Sequence, residues 1–237
     1  MKRLLLAIAA LLAAALTIVA LAPAAWIGDW LEANSRLRLL DARGTVWSGS
    51  ALVGISDGRQ TMLMPGRLSW AVRLTQLSIH VTHPALAAPL VVTPRPASVR
   101  FQAGQAELPG ATLTALGAPF NTLRPGGVLA LNWTDAEWAS AGLKGNVQIE
   151  WRDAQSALST VVPLGTYRLR LAGETGRIDL DTVRGPLLLQ GSGTFKGRKV
   201  SFRGLASAEP DMRQALAGLL GVLGPRSGDN AVLALET

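Results

Sequence analysis

The sequence is organised around its N-terminal apolar stretch. Residues 4–25 read LLLAIAALLAAALTIVALAPAA and carry no charged side chain, while Lys2 and Arg3 stand directly before them. An α-helix rises about 1.5 Å per residue, so about twenty residues cross a hydrocarbon core about 30 Å thick. The stretch therefore predicts a transmembrane anchor over residues 4–25.

The charges that flank the anchor predict its orientation. Lys2 and Arg3 favour the cytoplasmic side of a membrane, and the first charges beyond the anchor are Asp29 and Glu32. We expect residues 1–3 to form a cytoplasmic tip and residues 26–237 to lie outside the membrane, which in a bacterium is the periplasm. Trp26 and Trp30 lie where an interfacial aromatic belt is expected. They could also begin the folded core, and the two roles are compatible.

A cleaved secretory signal is the alternative interpretation of the same stretch. Signal peptides combine an apolar region of about 7–15 residues with a small-residue cleavage site. Candidate sites are present at Ala20-Leu21-Ala22 and at Ala22-Pro23-Ala24. The apolar run exceeds the usual length, and Pro23 directly after the first site is expected to block cleavage. We therefore predict an uncleaved anchor.

The composition limits the kinds of domain that the chain beyond the anchor can form. About 210 residues remain, which suits one large β domain or two small ones. The absence of cysteine excludes disulfides and thiolate metal sites. The formal net charge is +7, but the arginines are scattered along the chain and few aromatic residues lie among them. This pattern argues against a nucleic-acid partner.

The hydrophobic period changes to two after Leu37. Residues 44–51 combine glycines with β-branched and aromatic residues, which indicates a strand with a close backbone approach or a bulge. Ser56-Asp57-Gly58 has the composition of a tight turn, so a turn is predicted there. Short strands are then predicted at 61–64, 66–74 and 77–81.

Five prolines between Pro84 and Pro109 allow only short or edge strands, at 90–92 and 99–101. A helical turn is predicted at 112–116, and a boundary between two lobes at 108–125.

The second half has the clearer strand signals. Val147, Ile149 and Trp151 alternate with polar residues, as a half-buried strand requires. Further strands are predicted at 128–133, 167–171, 178–181, 187–189 and 231–235, with a hairpin turn at Lys196–Lys199. Strands joined by tight turns form an antiparallel meander. The fold class is therefore mainly β, a curved antiparallel sheet resembling a gutter or an open barrel.

One segment near the C-terminus has helical periodicity. The residues of its apolar stripe are Met212, Leu216, Leu219, Leu220 and Leu223. Pro210 and Asp211 suit the start of a helix, and Gly224-Pro225 ends it. We predict one amphipathic helix that covers the open face of the sheet, with docking of a partner helix as the alternative.

No arrangement of residues predicts catalysis or metal binding. His80 and His83 lie in a strand-like segment, which would place them on opposite faces. Asp179 and Asp181 share one face of a strand, and an exposed face explains them more simply than acid–base chemistry. Ser192 lacks the flanks of a nucleophile elbow, and residues 191–197 do not open a helix as a phosphate loop does. We predict no catalytic, cofactor or metal residues and no enzymatic activity.

Four stretches after the anchor have a distinctive order and spacing. They are GTVWSGSA at 44–51, PLGTYR at 163–168, TVRGPLLLQG at 182–191, and FRGLA at 202–206 followed by the helix and Gly228-Asp229. Together they resemble the type II secretion system protein N family, also known as general secretion pathway protein N. The resemblance spans nearly the full length and carries over no catalytic residues.

The resemblance implies a single-pass protein of the inner membrane of a Gram-negative bacterium. Such a protein would be an accessory component of the machine that exports folded proteins across the outer membrane. Its implied partners are the other inner-membrane secretion proteins, of the C, L and M types, together with inner-membrane lipid.

A second hypothesis comes from the fold, because a curved sheet with an apolar inner face could carry a lipid or another hydrophobic ligand. A continuous apolar groove would favour the carrier, whereas an interior filled by side chains would favour the scaffold.

Overall fold

The computed structural model describes residues 2–35, 37–56, 61–117, 119–140, 142–197 and 199–236. Strands make up 56% of the chain, and they form antiparallel sheets that do not close into a barrel. The prediction of a mainly β, open antiparallel fold is therefore confirmed. The chain forms two compact units, Met1–Pro84 and Ala85–Thr237. Residues 108–125, where a boundary was expected from the sequence, lie within the second unit.

The first unit contains two helices followed by an antiparallel meander. Its elements are α1 (Lys2–Ala20), α2 (Ala25–Asn34), β1 (Leu37–Gly44), β2 (Ser48–Ser56), β3 (Thr61–Arg73) and β4 (Ser78–Thr82). Each strand pairs with the next in sequence. Helix α1 has a mean hydropathy of 2.4 and is long and apolar enough to cross a membrane. It ends before the predicted Ala25 because Pro23 already pairs with Thr45.

The second unit contains the remaining strands, the α-helices α3 and α4 and two 3₁₀ segments. In chain order these are β5 (Leu90–Arg95), β6 (Ser98–Phe101), β7 (Gly104–Pro109), a 3₁₀ helix (Gly110–Leu116), α3 (Phe120–Leu123), β8 (Pro125–Trp133), β9 (Ala136–Ala139), β10 (Gly142–Lys144), β11 (Asn146–Ser156), β12 (Gly165–Ala172), β13 (Arg177–Arg184), β14 (Leu187–Lys196), β15 (Lys199–Ala208), a 3₁₀ turn (Pro210–Met212), α4 (Arg213–Leu223), β16 (Arg226–Ser227) and β17 (Asn230–Glu236). One nine-stranded antiparallel sheet has the order β16-β17-β15-β14-β13-β12-β11-β8-β7, and β5, β6, β9 and β10 pair in that order.

The nine-stranded sheet has one apolar and one polar face, because apolar and polar residues alternate along its strands and neighbouring strands pair in register. Ile149 lies opposite Leu169, and Trp151 lies opposite Tyr167. Directly opposed residues of an antiparallel pair point to the same face, so apolar residues from neighbouring strands form one continuous surface. Helix α4 covers one end of this surface with Leu216, Leu219 and Leu220, all of them buried. The predicted amphipathic helix is confirmed, and it covers the sheet.

Two predictions about the first sheet are wrong. Residues 44–51 are a hairpin rather than one strand, because β1 ends at Gly44 and β2 begins at Ser48; the close backbone approach expected there is present at the turn. Gly44 has φ +87°, and a Cβ there would lie 2.5 Å from the carbonyl oxygen of Ser48. The predicted strands at 61–64 and 66–74 are a single strand, β3, whose register shifts near Pro65 and Gly66. Of the predicted turn at Ser56-Asp57-Gly58, the last two residues lie outside the described part of the chain.

Candidate partner-binding surfaces

The C-terminal end of α1 is bound to the first sheet. The backbone N–H of Val46 donates to the carbonyl of Ala22 at 2.9 Å, and Ala24 N–H donates to Gly44 at 3.1 Å. The indole Nε1 of Trp47 donates to the carbonyl of Val19 at 2.8 Å. The last carbonyls of a helix lack partners within the helix. The turn between β1 and β2 supplies one, and it links α1 directly to the first sheet.

A small core lies behind this junction. Ala24, Ala51 and Trp70 are buried together, and Ala24 comes from the segment between α1 and α2. Trp70 Nε1 donates to the carbonyl of Val46 at 3.2 Å. Gly49 admits the ring of Trp70, since a Cβ at Gly49 would lie 2.6 Å from the ring. The glycine in the GTVWSGSA stretch is therefore explained by packing at the junction.

The polar face of the nine-stranded sheet carries a row of ion pairs. Arg152 on β11 lies 3.1 Å from both Glu107 on β7 and Glu150 on its own strand, and Glu150 also contacts Arg168 on β12 at 3.2 Å. Hydrogen bonds from Arg152 and then from Arg168 hold the pKa of the Glu150 carboxyl below its usual value. The row links three strands that share this face, and it suits a solvated surface.

The carboxylates considered for acid–base chemistry each contact an arginine. Asp179 lies 2.9 Å from Arg177, and Asp181 pairs with Arg170 across the strands. These residues line a depression of about 610 Å³ that also includes Leu171 and Leu180. Each carboxylate is therefore paired with a guanidinium, an arrangement that a solvated strand face explains.

The other residues considered for chemistry occupy strands and turns. His80 lies in β4 with its Nε2 3.3 Å from the Ser78 hydroxyl, and His83 follows the strand. Among the residues that the structure describes, no group of three or more His, Asp or Glu side chains could hold a metal. Ser192 and the glycines around it belong to β14, with no helix following.

The covered end of the apolar face is closed around Tyr167. Its hydroxyl lies 3.1 Å from the carbonyl of Leu164 and 3.0 Å from that of Leu187, and its ring packs at a centroid distance of 5.8 Å from that of Trp151. Burial raises the pKa of the Tyr167 hydroxyl. Tyr167 and Leu164 belong to the PLGTYR stretch, so that stretch is a structural feature of the core.

The two edges of the nine-stranded sheet differ. The chain covers the β7 edge itself, because Ala87 N–H donates to Gln105 at 3.1 Å and Glu107 N–H donates to Ala85 at 2.7 Å. At the opposite edge, β16 pairs only with Asn230 and Ala231. From Leu233 to Glu236, no strand of the described chain lies on the outer side of β17.

The open edge can accept another strand. Val232 N–H points outward, since it donates to the carbonyl of Pro225 at 2.8 Å. Backbone groups of successive strand residues alternate in direction, so Ala234 and Glu236 also point outward. An exposed edge is a template for strand addition. Periodicity in the sequence does not predict this asymmetry, because residues 85–87 carry no strand pattern of their own.

The comparison with known families matches nearly all of both β units. Residues 35–233 match the family described as type II secretion system (T2SS), protein N. The chain belongs to this family. It is thus a component of a type II secretion system and associates with other components of that system, and the predicted resemblance is confirmed. No curated protein and no solved structure gives a significant match.

Proposed function

We propose that this protein N family member is an accessory component anchored in the inner membrane, and that it takes part in assembling the secretion machine. The observation that carries the proposal is the family match, which begins at residue 35 and leaves α1 as a separate apolar helix. Lys2 and Arg3 favour the cytoplasmic side, so both β units would lie in the periplasm of a Gram-negative bacterium. The anchor would remain uncleaved.

Its action is binding rather than catalysis. The carboxylates that could have formed an acid–base pair each contact an arginine, as Asp179 does with Arg177. The partners we propose are the inner-membrane secretion proteins of the C, L and M types. The open edge of β17 supports this role because it presents outward N–H and C=O groups at Ala234 and Glu236 to an incoming strand.

The carrier hypothesis has weaker support. The depression near β13 is lined by charged groups that include Arg170 and Asp181, which do not suit an acyl chain. The covered end of the apolar face is filled by side chains such as Leu216 and Tyr167. A carrier was expected to have a continuous apolar groove and a scaffold an interior filled by side chains, so these features favour the scaffold.

The test is a pull-down of the full-length protein from detergent-solubilised membranes of its own host, identifying proteins and lipids together. Ala234→Pro removes an outward N–H without touching the bonds to β15, and Ala234→Ser is the matched control that keeps it. We expect secretion components with the wild type and with Ala234→Ser, and much less with Ala234→Pro.

The outcomes distinguish the alternatives. Recovery of secretion components with the wild type but equally with Ala234→Pro would retain the scaffold and reject the β17 edge. Lipid in stoichiometric amount without any secretion protein would reject the scaffold in favour of the carrier. Equal unfolding temperatures for both variants are required, so that a loss of binding reports the edge rather than the fold.

A further inference from the structure

Two turns meet at one end of the first sheet. The turn between β1 and β2 (residues 45–47) and the turn between β3 and β4 (residues 74–77) are adjacent, because Ser48 pairs with Ala71 and Val72 N–H donates to the Trp47 carbonyl at 2.7 Å. Trp47 also binds the end of α1 through Val19. We call these two turns the helix end of the first sheet.

Large apolar side chains are exposed around the helix end. Leu74 is 62% exposed and Leu77 is 70% exposed, although both are in a turn that polar residues usually occupy. Leu21, directly after α1, and Trp26, in the first turn of α2, are also more than half exposed. Neither turn contains an acidic residue, and the exposed Arg73 stands at the base of the second turn. The surface is therefore apolar at its tip and basic at its base.

Leu77 adds a second observation that points away from a purely structural turn. Its φ is +46°, a left-handed conformation that glycine and asparagine adopt at lower cost than leucine. Its side chain gains no burial within the chain in return, because it is 70% exposed. A leucine in this position is explained if something outside the described chain covers it.

We propose that the helix end of the first sheet inserts into the periplasmic interface of the bilayer that α1 crosses, so that Leu74 and Leu77 lie below the lipid headgroups. The proposal rests on the membrane anchoring proposed above. Val19 lies at the end of the membrane-spanning helix, and its 2.8 Å bond to Trp47 fixes the turn at the same depth. Trp26 then lies at the headgroup level, and Arg73 reaches the lipid phosphates.

The chain allows a site-specific test because it contains no cysteine. Four single variants, Leu74→Cys, Leu77→Cys, Leu63→Cys and Leu12→Cys, are each labelled with an environment-sensitive fluorophore. The full-length protein is reconstituted in phosphatidylcholine–phosphatidylglycerol liposomes that carry brominated lipids as quenchers. Leu63 is the matched control, since it is 53% exposed near the other end of β3, about 30 Å away at the usual rise of a strand. Leu12 reports the anchor.

We expect lipids brominated near the headgroup to quench labels at 74 and 77 strongly, with a blue-shifted emission. The label at 63 should remain unquenched, and the label at 12 should respond best to deeply brominated lipids. The insertion would be overturned, and the anchor left intact, if the label at 12 were quenched but the labels at 74 and 77 behaved like the label at 63. An unquenched label at 12 would overturn both. A pull-down without secretion components, together with quenching at 74 and 77, would reject the assembly role alone.

Discussion

The two compact units differ in how they are stabilised. In the first unit the cluster of buried core residues consists of Ala24, Ala51 and Trp70, and one of these lies between the two helices at the N-terminus. In the second unit the core extends beneath α4 and includes Tyr167 and Leu216. The first unit therefore depends on the segment between α1 and α2, whereas the second is closed by a helix from its own C-terminal part.

The largest expected effect comes from removing the central side chain of the first unit. Trp70→Ala should cost about 3–5 kcal/mol, because it leaves a cavity and removes a hydrogen bond. We expect limited proteolysis of the full-length protein to cut the first unit while fragments of the second survive. Leu63→Ala, at a position 53% exposed on the same strand, is the control that should leave the cleavage pattern unchanged. Simultaneous loss of both units would contradict the idea of separate cores.

The complementary change is in the second unit. Leu216→Ala should cost about 2–5 kcal/mol, since this side chain is fully buried under the sheet. Proteolysis should then degrade the second unit first, and denaturant should unfold it at a lower midpoint. Val222→Ala on the same helix removes an exposed side chain and should have little effect. If Leu216→Ala instead released the first unit, the proposed division of the two cores would have to be abandoned.

A smaller effect is expected at Tyr167. Tyr167→Phe removes a hydroxyl that lies between two carbonyl oxygens, which should cost about 0.5–1.5 kcal/mol. Because the folded-state pKa of Tyr167 is raised, its hydroxyl stabilises the fold fully below the pKa of the unfolded chain, and this contribution is lost as the pH rises above it. Tyr167 is the sole tyrosine, so ultraviolet absorbance of tyrosinate reports on this residue alone. Ionisation in the native protein near the ordinary pKa would show that the ring is not buried.

The smallest expected effect is the acid sensitivity that Glu150 gives to the second unit. Its pKa is lowered in the folded state, so its contribution is present above the ordinary value of 4.5 and is lost as the pH falls below it. Glu150→Gln should cost less than about 1 kcal/mol at neutral pH. Its unfolding temperature should then decrease less on acidification than that of the wild type. An unchanged acid dependence would assign the effect to other carboxylates.

The regular parts of the fold could be predicted because local periodicity determines them. The alternation of the apolar Val147, Ile149 and Trp151 with polar residues predicted a strand with one buried face. The structure shows this strand, β11, paired with β12 on one side and β8 on the other. The stripe that includes Leu216 required a helix on an apolar surface, and α4 provides it. In each case burial of one face is the dominant free-energy term, and the spacing of apolar residues records it directly.

The parts that escaped prediction depend on contacts between distant residues. The glycines at 44 and 49 were expected to mark a bulge or a close backbone approach within one strand, whereas the hairpin depends on the left-handed Gly44 beside Ser48 and on the Trp70 ring against Gly49. The covered β7 edge depends on backbone bonds to Ala85 and Ala87, which leave no side-chain pattern. The exposure of Leu77 likewise results from its position at a turn. Hydrophobic periodicity does not predict sheet edges and exposed turns, although these are the surfaces that partners and lipid would contact.

The bond between α1 and the first sheet also has a mechanical consequence. Helix α1 has 19 residues, which gives a length of about 28 Å at the usual rise, close to the thickness of a bilayer core. A helix tilts more in a thin bilayer and less in a thick one. The orientation of a domain on a flexible tether would not depend on that tilt. Here the backbone hydrogen bonds of Ala22 and Ala24 would transmit the tilt of α1 to the first sheet. With α1 in the inner membrane as proposed, the thickness of that membrane would set the angle at which the first sheet is presented.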